Sequence, residues 1–302
     1  MSKVKGFLTG LFMFCLVGFG MGTITYKGYE VVRGIIADAD TGKTAIVSDS
    51  QQLSVSSFLV EVAKGNVPGH MIVNKFGHNP AVPTTGADIW GGGGTYAFYP
   101  TNAQTMTAQS TSANDDVAGT GARTVIFYGL DANWELAQET IEMDGTTGVV
   151  LTNTYTRMFR GIVVSVGTAE SNLGAITVTG GGDTAIYIGI DDGQTQQAIY
   201  TIPAGYTAMF LKGYVALGND NKNGVDGTFQ WQGRLNNGFT GAWATKGQVT
   251  LVNIGSSHFT YEYGAPAGML PEKTDIRMRV TDADATIDGI GGYDLLLVQD
   301  GY

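Results

Sequence analysis

Two rhythms of hydrophobic and polar positions run along this chain. From Gly6 to Ile24 nineteen residues pass without a charge, and no polar stripe interrupts them, so the run does not fit an amphipathic helix lying on a soluble core. From Tyr29 onward the period is two. Asp275 to Thr281 alternates throughout, with Ile276, Met278 and Val280 on one face and polar or charged residues on the other, the pattern of a half-buried strand. Thr228 to Gln232, Ile176 to Thr179, Ile186 to Ile190 and Phe259 to Tyr263 repeat it with aromatic or β-branched residues on one side.

Turn clusters separate these segments: Gly180 to Asp183, Asp191 to Gly193, Asn219 to Gly224, Asn236 to Gly238 and Asp288-Gly289. Further strands are expected near Arg123 to Tyr128, Glu135 to Met143, Gly148 to Leu151 and Met158 to Val166, and the run Ile162-Val163-Val164 reads as buried on both faces. Thr101 to Gly121 reads as a polar surface strand with a loop at Asn114-Asp115-Asp116. Lys64 to Thr95, with three prolines and the string Trp90-Gly91-Gly92-Gly93-Gly94, lacks periodicity and reads as a long irregular excursion that serves contacts. No alternation of strand and helix appears, so the class expected is all-β: an antiparallel β-sandwich, jelly-roll-like, preceded by one N-terminal hydrophobic helix. The division expected is 1–27 as a hydrophobic anchoring helix, 28–60 as a connecting segment with a β-hairpin, and 61–302 as the sandwich body, with a candidate split into halves near 168.

The apolar run admits three roles. It is long enough to cross a hydrocarbon core as a helix; after Lys3 and Lys5 it also has the flanks of a secretory signal; and Gly6, Gly10, Gly18 and Gly22 suit a helix buried among other chains. In the first and third roles Phe7, Leu11, Phe12, Phe14, Leu16, Val17 and Phe19 are the anchoring residues. Composition narrows the partners. Seventeen Lys and Arg against twenty-seven Asp and Glu leave a net charge of −10, which disfavours nucleic acid. Forty-five glycines with only seven prolines fit many short strands joined by tight turns.

Candidate chemistry is sparse. Cys15 is the single cysteine, and His70, His78 and His258 are scattered, so a multi-cysteine or His-based metal site and a catalytic triad are not expected. Ala37 to Thr44 matches a loose phosphate-loop pattern, but Asp38 and Asp40 would repel phosphate and the flanks Val31 to Ile36 and Thr44 to Val47 read as a hairpin. Asn219, Asn221 and Asn223 imitate the start of a calcium loop that would end on Gln230 instead of Glu. Asp282, Asp284 and Asp288 read as a solvated turn, Glu135, Glu139 and Glu142 as solvent-facing carboxylates, and His258 as an exposed loop histidine. No catalytic residue, metal ligand or cofactor is assigned. Trp231 reads as interior, and Trp90 among glycines, with Phe76 and His78, as the candidate contact residues.

Several strings carry a resemblance: Gly65-Asn66-Val67-Pro68-Gly69-His70, Asn74-Lys75-Phe76-Gly77-His78-Asn79-Pro80, the Trp90 glycine run leading to Thr95-Tyr96-Ala97-Phe98-Tyr99-Pro100-Thr101, Gly119 to Val125, Gly129-Leu130-Asp131 with Trp134, Ala198 to Gly205, and Gly255-Ser256-Ser257-His258-Phe259. From about Ser57 to Gln299 the chain resembles a family of bacteriophage virion structural proteins, many of them marine. The resemblance implies a noncatalytic virion component at a capsid surface, vertex or tail junction. Its expected partners are copies of itself, trimers first, and other virion proteins, with a viral or host membrane reached through the apolar lead. The family transfers no catalytic residue, and its members have a more polar lead. The alternative from another class is a host-receptor or glycan-binding module of the virion, with Trp90 as its stacking surface.

Overall fold

The computed structural model describes residues 22–26, 29–33, 58–218, 224–236, 241–252 and 257–302. The chain divides into two units, 1–61 and 62–302. In the first, β1 (Gly22–Tyr26) pairs antiparallel with β2 (Tyr29–Arg33), Tyr26 opposite Tyr29. The expected helix through residue 27 is therefore corrected at its end: Thr23, Ile24, Thr25 and Tyr26 are β-branched or aromatic and have a matching partner strand. The anchoring residues Phe7, Leu11, Phe12, Phe14, Leu16, Val17 and Phe19 lie outside the described residues, as does the hairpin expected around Ala37 to Thr44. A short helix, α1 (Phe58–Ala63), buries only Val62. Among the described residues no helix is long and apolar enough to cross a membrane.

The unit 62–302 is all-β, and its core falls into two hydrophobic clusters. The first lies between a four-stranded layer and a five-stranded one. One is ordered β16-β13-β18-β3, from β3 (His70–Val82), β13 (Tyr206–Leu217), β16 (Ser257–Leu270) and β18 (Ile287–Gln299). The other is ordered β12-β17-β14-β15, from β12 (Ile199–Thr201), β14 (Asp226–Leu235), β15 (Ala244–Val252) and β17 (Thr274–Ala283), with β4 (Ala87–Asp88) pairing β17. Phe229, Trp231, Ile276 and Met278 from one layer meet Phe210, Val215, Tyr293 and Leu295 from the other. The chain changes layer between β3 and β12, again between β12 and β13, and at nearly every later connection.

Between β4 and β12 the chain builds a second sandwich. Its layers are β11-β10-β5-β8, from β5 (Gln104–Ser110), β8 (Val149–Tyr155), β10 (Ile176–Gly180) and β11 (Asp183–Ile188), and β7-β6-β9, from β6 (Ala122–Leu130), β7 (Leu136–Glu142) and β9 (Arg157–Val166). Met106, Ile176 and Ile186 face Val125, Phe127 and Met158 across it. The boundary near 168 falls inside this insert, because β10 and β11 come after it yet pack in the same cluster as β5 to β9. Asp115 pins one end: its buried carboxylate accepts Ala122 N and Leu173 N, both at 2.8 Å, Gly174 N at 2.8 Å and Ser110 Oγ at 2.6 Å.

Three expectations about periodicity are corrected here. The supposed irregular excursion contains β3, which pairs with β18 from His70↔Val298 to Val82↔Ile287. Its inward row begins with Met71 and Val73, then continues with Lys75, Gly77 and Asn79, all buried. Polar and glycine residues at inward positions conceal the alternation. Gly77 is required there, since a Cβ would stand 2.3 Å from the Ile89 carbonyl oxygen. Second, the Ile162-Val163-Val164 run is not buried on both faces: Val164 is 58% exposed. Third, the supposed surface strand β5 is half-buried, with Met106, Ala108 and Ser110 turned inward.

Lys75 is the costliest member of the β3 row. Its Nζ donates to the Phe159 carbonyl and lies 5.8 Å from the centroid of the Phe159 ring. Burial first, and the Arg160 charge second, hold its amine well below the ordinary 10.5. A lysine depressed in the fold binds fewer protons than in the unfolded chain, so its penalty fades as pH rises toward the unfolded value. Lys75→Met is therefore expected to be more stable than wild type at pH 7, with the gap narrowing steadily by pH 10 in urea unfolding; an equal gap at both values would contradict the assignment.

Candidate functional site

A connected set of polar side chains lies where the two sandwiches meet. On β17, Ile276, Met278 and Val280 face the first core as expected, but the opposite face is also covered: Asp275 is 0% exposed and Arg277 8%. The strand is flanked by β12 and β14 and roofed by residues of the insert, so its polar row is interior. Asp275 accepts Arg157 Nε at 2.8 Å and Arg157 Nη2 at 3.2 Å, a forked pair with the first residue of β9. It also accepts Arg234 Nη2 and Thr201 Oγ1, each at 2.7 Å. One carboxylate thus ties together β9 of the insert and β12, β14 and β17 of the first sandwich.

Asp88, on β4, is the second anchor. Tyr96 N donates to it at 2.8 Å, Arg277 Nη1 lies 3.3 Å away and Arg279 Nη1 3.2 Å. Burial pushes its carboxyl upward, opposed by Arg277, the Tyr96 amide and Arg279. Arg277 is itself lowered by burial, against the pull of Asp88, and its Nε donates to Gln232 Oε1 at 2.9 Å.

Aromatic rings fill the space around the guanidinium groups. Trp90, Tyr96, Tyr99 and Trp243 follow one another edge to face, with centroids 5.1, 5.2 and 5.6 Å apart. Trp243 lies 4.0 Å from the Arg277 guanidinium carbon and 4.6 Å from that of Arg234. Arg157 sits 4.7 Å from the Trp134 ring and 5.2 Å from that of Tyr99. Trp134 holds this place with a φ of 65°, in the left-handed region that a bulky residue adopts at a cost. Asp131 supports the turn by accepting Asn133 N and Glu135 N.

The residues expected at a contact surface separate. Trp90 is not offered to solvent: it is 5% exposed in the second core and its Nε1 donates to the Gly94 carbonyl. The glycines after it form a turn in which a Cβ on Gly92 would strike the Trp90 ring at 2.3 Å. Phe76 and His78 lie on the outward, half-buried row of β3, where His78 Nε2 meets Asp288 Oδ1 at 2.7 Å. His258 belongs to β16 and is exposed there. Among the described residues no group of three or more His, Cys, Asp or Glu side chains is gathered closely enough to hold a metal ion.

Sequence reasoning missed Asp88, Arg157, Arg234, Asp275, Arg277 and Trp243. One signal was available: three charges alternate with apolar residues in Asp275-Ile276-Arg277-Met278-Arg279, whereas the chain as a whole is only 15% charged.

No protein-family model matches the chain, and no curated protein matches it. Among solved structures, one of the infectious bursal disease virus Gt strain aligns at 11% identity over 81% of this chain and 79% of that chain, with a TM-score of 0.24. One of the Gx strain of the same virus aligns at 12% identity over 77% and 72%, with a TM-score of 0.22. TM-scores this low carry nothing about fold or function.

The geometry is that of a clamp, since each carboxylate and guanidinium group holds another element in place. Removing one partner of a buried pair leaves the other charge uncompensated, at about 3–5 kcal/mol. Asp275→Ala is expected to lose stability in that range in urea unfolding, and Trp243→Ala about 1–2 kcal/mol; a loss below about 1 kcal/mol for Asp275→Ala would show that the pair contributes little.

Proposed function

We propose that this chain is a noncatalytic structural component of a virus particle, that of a bacteriophage, in which copies of it pack together, as trimers first, and meet other virion proteins. The observation that carries the reading is the winding of the first sandwich. Its strands run β3-β18-β13-β16 in one layer and β12-β17-β14-β15 in the other, which is the order of a jelly roll, an architecture used by viral capsid and lectin domains. The second sandwich is inserted between the first two strands of that order, and the clamp at Asp275 and Asp88 makes the pair one block suited to repeated packing. The virion-like strings from Ser57 onward support the same reading, and the apolar lead supplies a means of fastening the block to the particle.

A glycan-binding module centred on Trp90 is less well supported, because that ring lies in the core. Mass photometry of the full-length protein in detergent-free buffer is expected to show a closed multimer, with the trimer as the leading species. A monodisperse monomer at micromolar concentration would overturn the proposal.

A further inference from the structure

The insert carries an open trough between two free strand edges. β7 is the outermost strand of β7-β6-β9, and β8 is the outermost strand of β11-β10-β5-β8. The space between them measures 520 Å³. Ile141 and Met143 form its buried floor, while Val117 and Val150 on its walls are 48% and 60% exposed. One stretch of the β8 edge is already closed, since the Glu139 carboxylate accepts Thr152 N at 2.7 Å and Asn153 N at 2.9 Å. The rest is a mixed surface, more polar than apolar, on which the exposed Val117 and Val150 stand among Asp116, Glu142 and Asp144, with no Lys or Arg among its lining residues.

An occupant should be basic, with an apolar residue to cover the two valines, and the chain contains such a segment. Its first twenty-nine residues hold Lys3, Lys5 and Lys27 but none of the twenty-seven acidic residues. Lys3-Val4-Lys5 reads basic, apolar, basic, so an extended chain would put both ammonium groups on one face and Val4 on the other. The other basic pair with this spacing, Arg277 and Arg279, is held in the clamp. The lysine stems add apolar contact while their heads reach the carboxylates.

We propose that Lys3-Val4-Lys5 of one copy seats in this trough on a second copy, Val4 against Val117 and Val150 and the two lysines on Glu142 and Asp144. The lead of each copy then straps it to the next, a head-to-tail contact that closes into a ring when the rotation allows. This deepens the assembly reading above and rests on it.

Zero-length carbodiimide cross-linking of mixed light- and heavy-nitrogen full-length protein, followed by mass spectrometry, tests the seat directly. Peptides joining Lys3 or Lys5 to Glu142 or Asp144 across one light and one heavy chain are expected. The E142K/D144K variant is expected to weaken assembly at least about tenfold, and adding K3E/K5E to restore most of it. Three results would overturn the seat: a multimer that forms without these links, links confined to single chains, or an E142K/D144K variant that assembles like wild type. Absence of any multimer in wild type would instead overturn the assembly reading itself.

Discussion

Everything else in the body depends on two carboxylates held out of water. Asp275 and Asp88 have no exposure, and a lone buried carboxylate would be far too costly to keep ionised. Forked and single contacts from Arg157, Arg234, Arg277 and Arg279, a threonine hydroxyl and a backbone amide provide the compensation. Arg277, Arg279, Arg234 and Thr201 all stand on the first sandwich, so it is the forked contact of Arg157 with Asp275 that forms only when the insert has docked. Apolar surface alone would hold the two together, but in many orientations; the forked Arg157 contact admits one.

The insert and the jelly-roll order have a common consequence. Strands β3 and β18 come from opposite ends of the body, and the whole second sandwich forms between β4 and β12. Such pairings are distant in sequence, so loop closure opposes them until many contacts form together. The pair of Arg157 with Asp275, 118 residues apart in sequence, is a contact of this kind. The outermost strands β7 and β8 belong to the insert alone and contribute no donor to Asp275 or Asp88.

Much of the strand pattern was legible in the sequence because inward positions in β6, β10, β14 and β17 are mostly β-branched or aromatic. Legibility failed where inward positions are not hydrophobic. Lys75, Gly77 and Asn79 hid β3 inside what looked like a loop. It failed again for the Asp275 row, where alternating charges normally mean solvent and here mean a second interior. The sequence favoured Trp90 for its glycine neighbours, whereas those glycines make room for a buried ring and Trp243 covers the guanidinium groups. Layer order depends on pairings across more than two hundred residues, as in β3 with β18, and local periodicity carries no record of them.

Native-state hydrogen exchange tests most directly whether the two sandwiches act as one block. The amides of Ile186 in the insert and Phe229 in the first sandwich should open with the same free energy in wild type, and Asp275→Asn should separate them. Two distinct opening free energies in wild type, unchanged by that substitution, would contradict the account.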